Sequence, residues 1–321
     1  MWHEQFLRFL TSKPGTSEDF EEAILLKNSN IPQKLYKYRS INNFTLDSLN
    51  KNTVWVTRPS NYNDPYDCCF TWSHDVVTRI CSRLAIDQMI YNTSVHEHLN
   101  GLEIDMVKRD ENPLDAIGRI LWSKSPDKTK KTREMFDTAI QEMSKKIELE
   151  HKTKMMKFVR ESIKTSSFSE RNDSITMWSH YSDNHRGICV EYDFSRLNSN
   201  DLRRRLIYPI IYTNSLFDST SYFVDHFSNK PILNNFLIIA AIHKSIDWAY
   251  EHEWRFVMPL GDKIDDMNFI MPVPSKIMLG SEISKSNIDL ICNIASQQSI
   301  PVSMMTLSRD YYSIVEAPPH A

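Results

Sequence analysis

The chain has 321 residues, 41% of them hydrophobic, and its 38 basic and 41 acidic side chains leave a net charge of −3. This length and composition suffice for one large domain or two smaller ones with packed cores. The balanced charge excludes a global electrostatic attraction to nucleic acid or membrane, so such binding would need a local patch.

Strand and helix patterns are intermixed without a regular βαβ order, which predicts the α+β class. Residues 72–164 have helical spacing, and residues 124–164 carry twelve Lys/Arg against seven Asp/Glu. We predict a single α+β domain over residues 1–321, with 72–164 a helical insertion whose basic face is either solvated or a binding surface. In chain order, the other predicted elements are a helix at 20–27, a strand at 34–40, a helix at 42–49, a strand at 53–57, a turn at 58–65, a strand at 167–169, a helix at 177–181, a turn at 184–187, strands at 188–192 and 206–212, a helix at 231–241, strands at 246–259 and 276–279, a helix at 286–297 and a strand at 302–307.

Several protein classes are disfavoured by what the sequence lacks. No basic segment followed by an apolar run opens the chain, and its longest apolar run, Phe236–Ile242, is too short to cross a bilayer. Five cysteines, an odd number without metal-ligand spacing, disfavour a disulfide framework and a zinc site. Together these features predict a reduced, cytoplasmic protein with no membrane contact. Only six glycines occur, and none forms a phosphate-binding loop, which disfavours Rossmann dehydrogenases and P-loop NTPases.

The stretch 246–259 alternates apolar and polar residues, which predicts a half-buried strand. Glu251 and Glu253 would then stand side by side on its polar face, followed by Arg255. Two carboxylates this close repel each other, so we expect at least one perturbed pKa. The alternative interpretation is a solvated strand face that Arg255 neutralises.

Four blocks of sequence occur in an order that resembles a large, uncharacterised bacterial family of unknown function. The resemblance covers nearly the whole chain outside the insertion, and it supplies no function by itself. The blocks are Leu35-Tyr-Lys-Tyr-Arg-Ser40, Asn63-Asp-Pro65, Phe168-Ser-Glu170 with Met177-Trp-Ser-His-Tyr181 and His185-Arg-Gly187, and Glu251-His-Glu-Trp-Arg255.

A more distant resemblance is to the R-S-E class of ADP-ribosyltransferases, which share the order of an arginine strand, a Ser-x-Ser strand and a Glu-x-Glu motif. It implies a split β-sheet core that binds NAD between two small sheets without a glycine-rich loop. Arg39 would hold the NAD phosphates, for which a planar guanidinium is well suited. Ser169, Tyr181 and Tyr38 would complete the cofactor-binding set.

The same resemblance implies two catalytic glutamates and NAD as co-substrate. Glu253 would bind the ribose 2′-hydroxyl and stabilise an oxocarbenium-like transition state, while Glu251 would orient or deprotonate the acceptor. The implied protein is a toxin or phage-defence effector that modifies a protein or nucleic acid and has a neutralising or regulatory protein partner. We expect Glu253→Gln to abolish activity and leave the fold intact.

Other interpretations stay open at this point. Arg39 could pair with Asp64 or Asp67 as a structural bridge, and Ser169 could cap a turn. A metal-dependent nuclease would gather the two aspartates and the two glutamates around Mg²⁺, although no lysine has the compact spacing that such enzymes often show. A catalytically silent module could use the same cleft to bind a nucleotide or a protein partner.

Overall fold

The computed structural model describes residues 2–11, 17–92, 95–227 and 234–317. The chain divides into two compact units, of which the first contains the predicted site and the second overlaps the predicted insertion, residues 72–164. The single-domain organisation stays a prediction. The first unit consists of Met1–Cys68, Arg160–Leu216 and Leu237–Ala321, and the second of Cys69–Val159 and Phe217–Phe236.

Helices and strands are both numerous in the described residues. The helices are α1 (Trp2–Leu10), α2 (Ser17–Asn30), α3 (Asn43–Lys51), α4 (His74–Asn92), α5 (Val95–His98), α6 (Gly101–Arg109), α7 (Pro113–Lys124), α8 (Lys130–Ser162), α9 (Ile175–Tyr181), α10 (Leu202–Leu206), α11 (Thr220–Phe227), α12 (Asn234–Ile242) and α13 (Lys285–Gln297). The strands are β1 (Lys34–Arg39), β2 (Thr53–Val56), β3 (Phe70–Thr71), β4 (Ile163–Ser169), β5 (Ile188–Asp193), β6 (Ile207–Pro209), β7 (Ile211–Thr213), β8 (Phe217–Asp218), β9 (His243–Ser245), β10 (Glu253–Pro259), β11 (Met267–Ile270), β12 (Lys276–Leu279), β13 (Val302–Leu307) and β14 (Ile314–Glu316).

Eight strands of the first unit form one mixed sheet in the order β14-β13-β12-β5-β1-β4-β10-β6. Neighbouring strands are antiparallel except β12 and β13, which are parallel and are connected by α13. The described chain is therefore a mixed α/β protein with a large mixed sheet and many helices.

The sheet nearly divides between β1 and β4. Strand β1 pairs with β5 at six positions and β4 pairs with β10 at seven, but β1 and β4 share the single pair Tyr36↔Ser169. Beyond this pair the edge of β4 bonds instead to Thr57, whose backbone exchanges hydrogen bonds of 2.9 and 2.8 Å with Thr165. We call the gap between residues 37–39 of β1 and residues 165–168 of β4 the fork.

Alternation along β1 places its side chains in two cores on opposite faces of the sheet. Leu35 belongs to the larger core, which contains Phe168 and Phe256, whereas Tyr38 packs with Trp178 and Met278 on the other face. These two cores hold the strands around the fork from both sides.

The ends of the elements near the fork are fixed by caps and by close packing. Asn42 caps α3 by accepting a 2.9 Å hydrogen bond from the Thr45 amide, and Ser174 caps α9. Gly187 leaves no room for a side chain, because a Cβ there would lie 2.2 Å from the carbonyl oxygen of Arg39. The turn before β5 therefore packs directly on the end of β1.

The prediction of one strand over 246–259 is wrong in its first half. Residues Ile246–Glu251 form a 3₁₀ helix whose start is capped by Ser245, and β10 begins only at Glu253. His252, between them, has a left-handed backbone with φ of 45°, which ends the helix and turns the chain into the strand. Glu251 and Glu253 therefore do not share a strand face.

Two further element predictions need correction, and a third lies partly outside the described residues. The strand predicted at 206–212 is the end of α10 followed by β6 and β7, and helix α13 is capped by Ser284 rather than Ser286. Of the helix predicted at 231–241, residues 231–233 lie outside the described residues, while α12 is helical as predicted.

The second unit is mostly helical and has its own small core. That core joins α4, α6 and α7 through residues such as Ile90, Val107 and Ile117. Helix α8 extends for 33 residues, and Glu148 within it accepts a 2.9 Å hydrogen bond from the Trp72 indole. No helix in the described part of the chain has both the length and the apolar character needed to cross a membrane.

Candidate functional site

A cavity of about 380 Å³ opens at the fork of the first unit, a volume typical of small-molecule sites. All six residues predicted for the site border it, although they lie far apart in the sequence. Its lining comprises Tyr36, Lys37, Tyr38, Arg39, Ser40, Asn42, Thr45, Trp55, Thr57, Tyr62, Asn63, Asp67, Thr165, Ser166, Ser167, Phe168, Ser169, Met177, Tyr181, Lys244, Glu251, Glu253 and Arg255.

Arg39 is a half-buried cation without a counterion among the described residues. Its guanidinium forms no ion pair and no side-chain hydrogen bond there, and burial lowers its pKa. Among the described residues no ion pair joins Arg39 to Asp64 or Asp67, so the structural bridge that the sequence allowed does not form; Asp67 pairs with Arg255 instead. A cation that faces a cavity without a partner favours the binding of an anion.

Arg255 is the centre of a buried ionic network. Its guanidinium donates two hydrogen bonds to Asp67, of 2.6 and 2.9 Å, and two to Glu253, of 2.6 and 3.1 Å. A fifth hydrogen bond, of 3.0 Å, reaches the Ala241 carbonyl. Only 1% of the Arg255 surface is exposed, so the earlier interpretation of a solvated strand face is wrong.

Lys244 on β9 brings the two glutamates together despite the break in the strand. Its ammonium lies 2.6 Å from Glu251 and 2.9 Å from Glu253. No sequence pattern pointed to this lysine, because it is separated from the Glu-x-Glu motif by the 3₁₀ helix.

The pKa values of the two glutamates are shifted in opposite directions, so the expected perturbation occurs. Burial and the charge of Glu253 raise the pKa of Glu251, although Lys244 opposes them. Burial would also raise the pKa of Glu253, but Arg255 and Lys244 outweigh it and hold that pKa far below its usual range. Glu253 therefore stays ionised, and Glu251 is the carboxylate that takes up a proton more readily.

The free acceptor positions of the two carboxylates also differ. A carboxylate offers about four acceptor positions. Glu253 receives three hydrogen bonds, two from Arg255 and one from Lys244. Glu251 receives hydrogen bonds of 2.6 Å from the Tyr181 hydroxyl and from Lys244, which leaves it positions for a ligand.

Ser169 and Tyr38 have structural partners in addition to bordering the cavity. The Ser169 hydroxyl donates to the Glu251 carbonyl at 2.6 Å and accepts from the Arg171 amide at 3.0 Å, so it helps to hold the backbone of Glu251 in place. The Tyr38 hydroxyl donates to the Arg171 carbonyl, and its ring lies edge-on against Trp178. Their roles in cofactor binding stay predictions.

The predicted phosphate-binding and catalytic residues reach the cavity from different faces of the sheet. The pairs Tyr36↔Ser169 and Ser169↔Glu253 put these three side chains on one face, whereas Arg39 is three positions beyond Tyr36 and points to the opposite face. Both sets border the same cavity because β1 and β4 separate there. A ligand that contacts both must occupy the fork itself.

Lys37 is a site residue that the sequence reasoning missed. Its ammonium nitrogen lies 2.8 Å from the Ser166 hydroxyl and 2.8 Å from the Ser167 carbonyl, so it spans the fork. The available signal was its position two residues before Arg39, which places both cations on one face of β1.

The predicted gathering of four carboxylates around a metal ion does not match the contacts. Within the described residues, no group of three or more His, Cys, Asp or Glu side chains is arranged to hold a metal ion. Asp67 and Glu253 are instead neutralised by Arg255 and Lys244, and Asp64 accepts from the Tyr66 amide. The side chains of Arg255 and Lys244 therefore contact the carboxylate oxygens that a Mg²⁺ ion would have to bind.

Comparison with known families gives one match. Residues 177–256 match a family described as a protein of unknown function (DUF2971), so a DUF2971 domain is present over this range. It begins in α9 and ends within β10, and it contains Tyr181, Lys244 and both glutamates. No curated protein and no solved structure matches the chain. The resemblance to a family of unknown function is confirmed over these residues, and no comparison shows a resemblance to ADP-ribosyltransferases.

Proposed function

We propose that the cavity at the fork binds NAD and that the protein transfers the ADP-ribosyl group to a protein or nucleic acid acceptor. The observation that carries this proposal is Arg39, a half-buried guanidinium that borders the cavity and has no counterion among the described residues. A phosphate group is a suitable partner for it, since bidentate hydrogen bonds from arginine match phosphate oxygens.

The division of the sheet supports the same proposal. R-S-E class ADP-ribosyltransferases bind NAD where a split sheet opens, and here β1 and β4 are joined by one residue pair only. In this arrangement the NAD phosphates lie against β1 at Arg39, and the nicotinamide ribose lies near Glu251 across the fork.

The contacts of the two glutamates support roles that differ from those that the motif implies. Glu251 has free acceptor positions and a raised pKa, so it is the better group to bind a ribose hydroxyl or to accept the acceptor's proton. Glu253 holds Lys244 and Arg255 in place and supplies a fixed negative charge near the developing oxocarbenium ion.

The transfer step then balances as follows. The bond between the ribose C1′ and the nicotinamide nitrogen breaks, and nicotinamide leaves with the bonding electron pair. A new bond forms between C1′ and a nucleophilic atom of the acceptor, whose proton passes to the carboxylate of Glu251.

A second candidate is a nucleotide-binding module without turnover. The specific observation in its favour is that Glu253 already receives three hydrogen bonds, which leaves it little capacity to bind the ribose 2′-hydroxyl. Such a module would bind NAD through Arg39 and leave it intact.

Label transfer from NAD in cell extract, with and without EDTA, tests the proposal. Wild-type protein is expected to label a macromolecule in both conditions, and Glu251→Gln to reduce the rate by about 10²–10⁴-fold, as loss of an acid–base group does. The matched control is Glu282→Gln, because Glu282 is exposed and lies outside the cavity.

Two contrary outcomes would favour another function, and a third would change the role of Glu251. NAD binding without label transfer by wild-type protein would favour the silent module. Cleavage of nucleic acid that EDTA abolishes, without NAD consumption, would favour the nuclease. Equal activity of Glu251→Gln and wild type would remove Glu251 from the mechanism.

A further inference from the structure

We propose that Lys37 is the second cation of the phosphate subsite at the fork and that it takes up a proton when the phosphate binds. This inference rests on the proposed function for the position of the ligand, and it adds a residue and a pH dependence to that site. Lys37 and Arg39 share a face of β1, and both border the cavity.

When Lys37 is protonated, one of its three N–H groups has no hydrogen-bond acceptor among the described residues. Its nitrogen has two close acceptors, the Ser166 hydroxyl and the Ser167 carbonyl, each at 2.8 Å. A neutral amine has two N–H groups, and these two acceptors satisfy them. An ammonium has three, so protonation of Lys37 adds a donor that no described hydrogen-bond acceptor takes.

The Ser167 carbonyl explains why a lysine occupies this position. The Tyr36↔Ser169 pair is the last one between β1 and β4, so the carbonyl has no ladder partner across the fork. Lys37 satisfies it, and replacement by an apolar residue would leave a backbone acceptor facing the cavity without a protein donor.

The charged groups around Lys37 set its protonation. Burial disfavours the ammonium most, and Arg39 on the same strand adds to this effect, whereas Glu253 on β10 opposes both. From β4, the ring of Phe168 lies 4.9 Å from the nitrogen and favours the charged form. The balance lowers the pKa of Lys37 to about 7.

No carboxylate among the described residues forms an ion pair with Lys37. A phosphate that enters the fork would be its closest anion, and a nearby anion raises the pKa of a lysine. Binding must therefore be accompanied by proton uptake at pH values above 7, and by linkage the affinity must fall as the pH rises.

The test uses ADP-ribose and inorganic sulfate as probes, because their charges do not change between about pH 6.5 and pH 9. The two phosphates of ADP-ribose are diesters and lack the second ionisation near pH 6 of a phosphate monoester. Isothermal titration calorimetry at pH 8, in buffers with different ionisation enthalpies, measures the protons taken up on binding.

For wild-type protein we expect uptake of close to one proton at pH 8 and a loss of affinity of up to about tenfold per pH unit above pH 7, the limit for one linked proton. Lys37→Arg should bind ADP-ribose without proton uptake and with little pH dependence, since arginine stays charged. Lys37→Met should bind more weakly than wild type at pH 6.5 and approach it at pH 9. Lys34→Met is the matched control on β1, because Lys34 pairs with Glu191 outside the cavity, and it should behave as wild type.

Several results would overturn the proposal: no binding of either probe, wild-type binding without proton uptake, or uptake that persists in Lys37→Arg. The outcomes also separate this inference from the proposed function. Sulfate binding with proton uptake but no NAD turnover would support the subsite and contradict the transferase. NAD turnover by a protein that binds the probes with an affinity independent of pH would support the transferase and contradict the inference about Lys37.

Discussion

Replacing Arg255 with leucine should destabilise the protein strongly at neutral pH. Arg255 is 1% exposed, and its guanidinium is the cation between Asp67 and Glu253. Leucine is apolar and donates no hydrogen bonds, so Arg255→Leu buries two carboxylates without their main partner. Lys244 still reaches Glu253 but is not paired with Asp67.

The size of the effect follows from this burial. Removing one partner of a buried ion pair costs about 3–5 kcal/mol, and we take about 4 kcal/mol because Lys244 compensates part of the charge. With a urea dependence of about 3 kcal/mol per M, the unfolding midpoint should fall by about 1.3 M. Since domains are stable by only about 5–15 kcal/mol, a large part of the stability is lost.

Urea unfolding followed by tryptophan fluorescence at pH 7 measures this change. The matched control is Arg186→Leu, because Arg186 forms an exposed ion pair with Asp183 and such pairs contribute about 0–1 kcal/mol. A midpoint of Arg255→Leu within about 0.3 M of wild type would refute the assignment of Arg255 as the centre of the network.

The pH dependence gives a second check on the same variant. The folded pKa of Glu253 is lowered, so its contribution to stability is complete above its unfolded pKa of about 4.3 and is lost as the pH falls below that value. In Arg255→Leu this contribution is largely absent. The stability difference between the two proteins should therefore narrow between about pH 5 and pH 3, and an unchanged difference would contradict the role of Glu253.

The remaining predictions concern stability and use thermal unfolding. Gly187→Ala should cost about 1–3 kcal/mol, because its Cβ would lie 2.2 Å from the Arg39 carbonyl oxygen, and an unchanged melting temperature would contradict that packing. Gly101→Ala, the matched control in α6, meets no atom within 4 Å and should be neutral or stabilise by up to about 1 kcal/mol. Asn100→Ala should cost about 1 kcal/mol, since it removes the capping box with Glu103 at the start of α6, and wild-type stability would show that this cap contributes nothing.

The sequence predicted the members of the site better than the geometry that joins them. The strand that carries Arg39 occurs as predicted, because its pattern is short and its ends have clear turn residues. The strand that carries Ser169 begins at Ile163, four residues before its predicted start and inside the predicted insertion. The strand that carries Glu253 begins later than predicted, because apolar residues that alternate over a few positions also fit a 3₁₀ helix. Ser245, which caps that helix, was the local signal against a strand.

The counterions could not be predicted, because they come from distant parts of the chain. Asp67 lies 188 residues before Arg255, and nothing in its local sequence distinguishes it from Asp64 as a partner. Lys244 lies near Glu251 in sequence, but only the fold of the intervening helix brings its ammonium to both glutamates. Pairing of this kind depends on tertiary structure, which periodicity and motif spacing do not encode.

The two sides of the fork carry net charges of opposite sign. Asp67, Glu251 and Glu253 are three carboxylates held by two cations, Lys244 and Arg255, so this side keeps a negative excess when all five are ionised. The β1 side has Arg39 and, when it is protonated, Lys37, and neither has a carboxylate partner among the described residues. Oxidised NAD has the complementary pattern, since its nicotinamide ring is cationic and its phosphates are anionic. Opposite charges attract more strongly in a partly buried site than in water. If the cavity binds NAD as we propose, this separation would therefore favour one orientation of the dinucleotide, with its nicotinamide ribose beside Glu251.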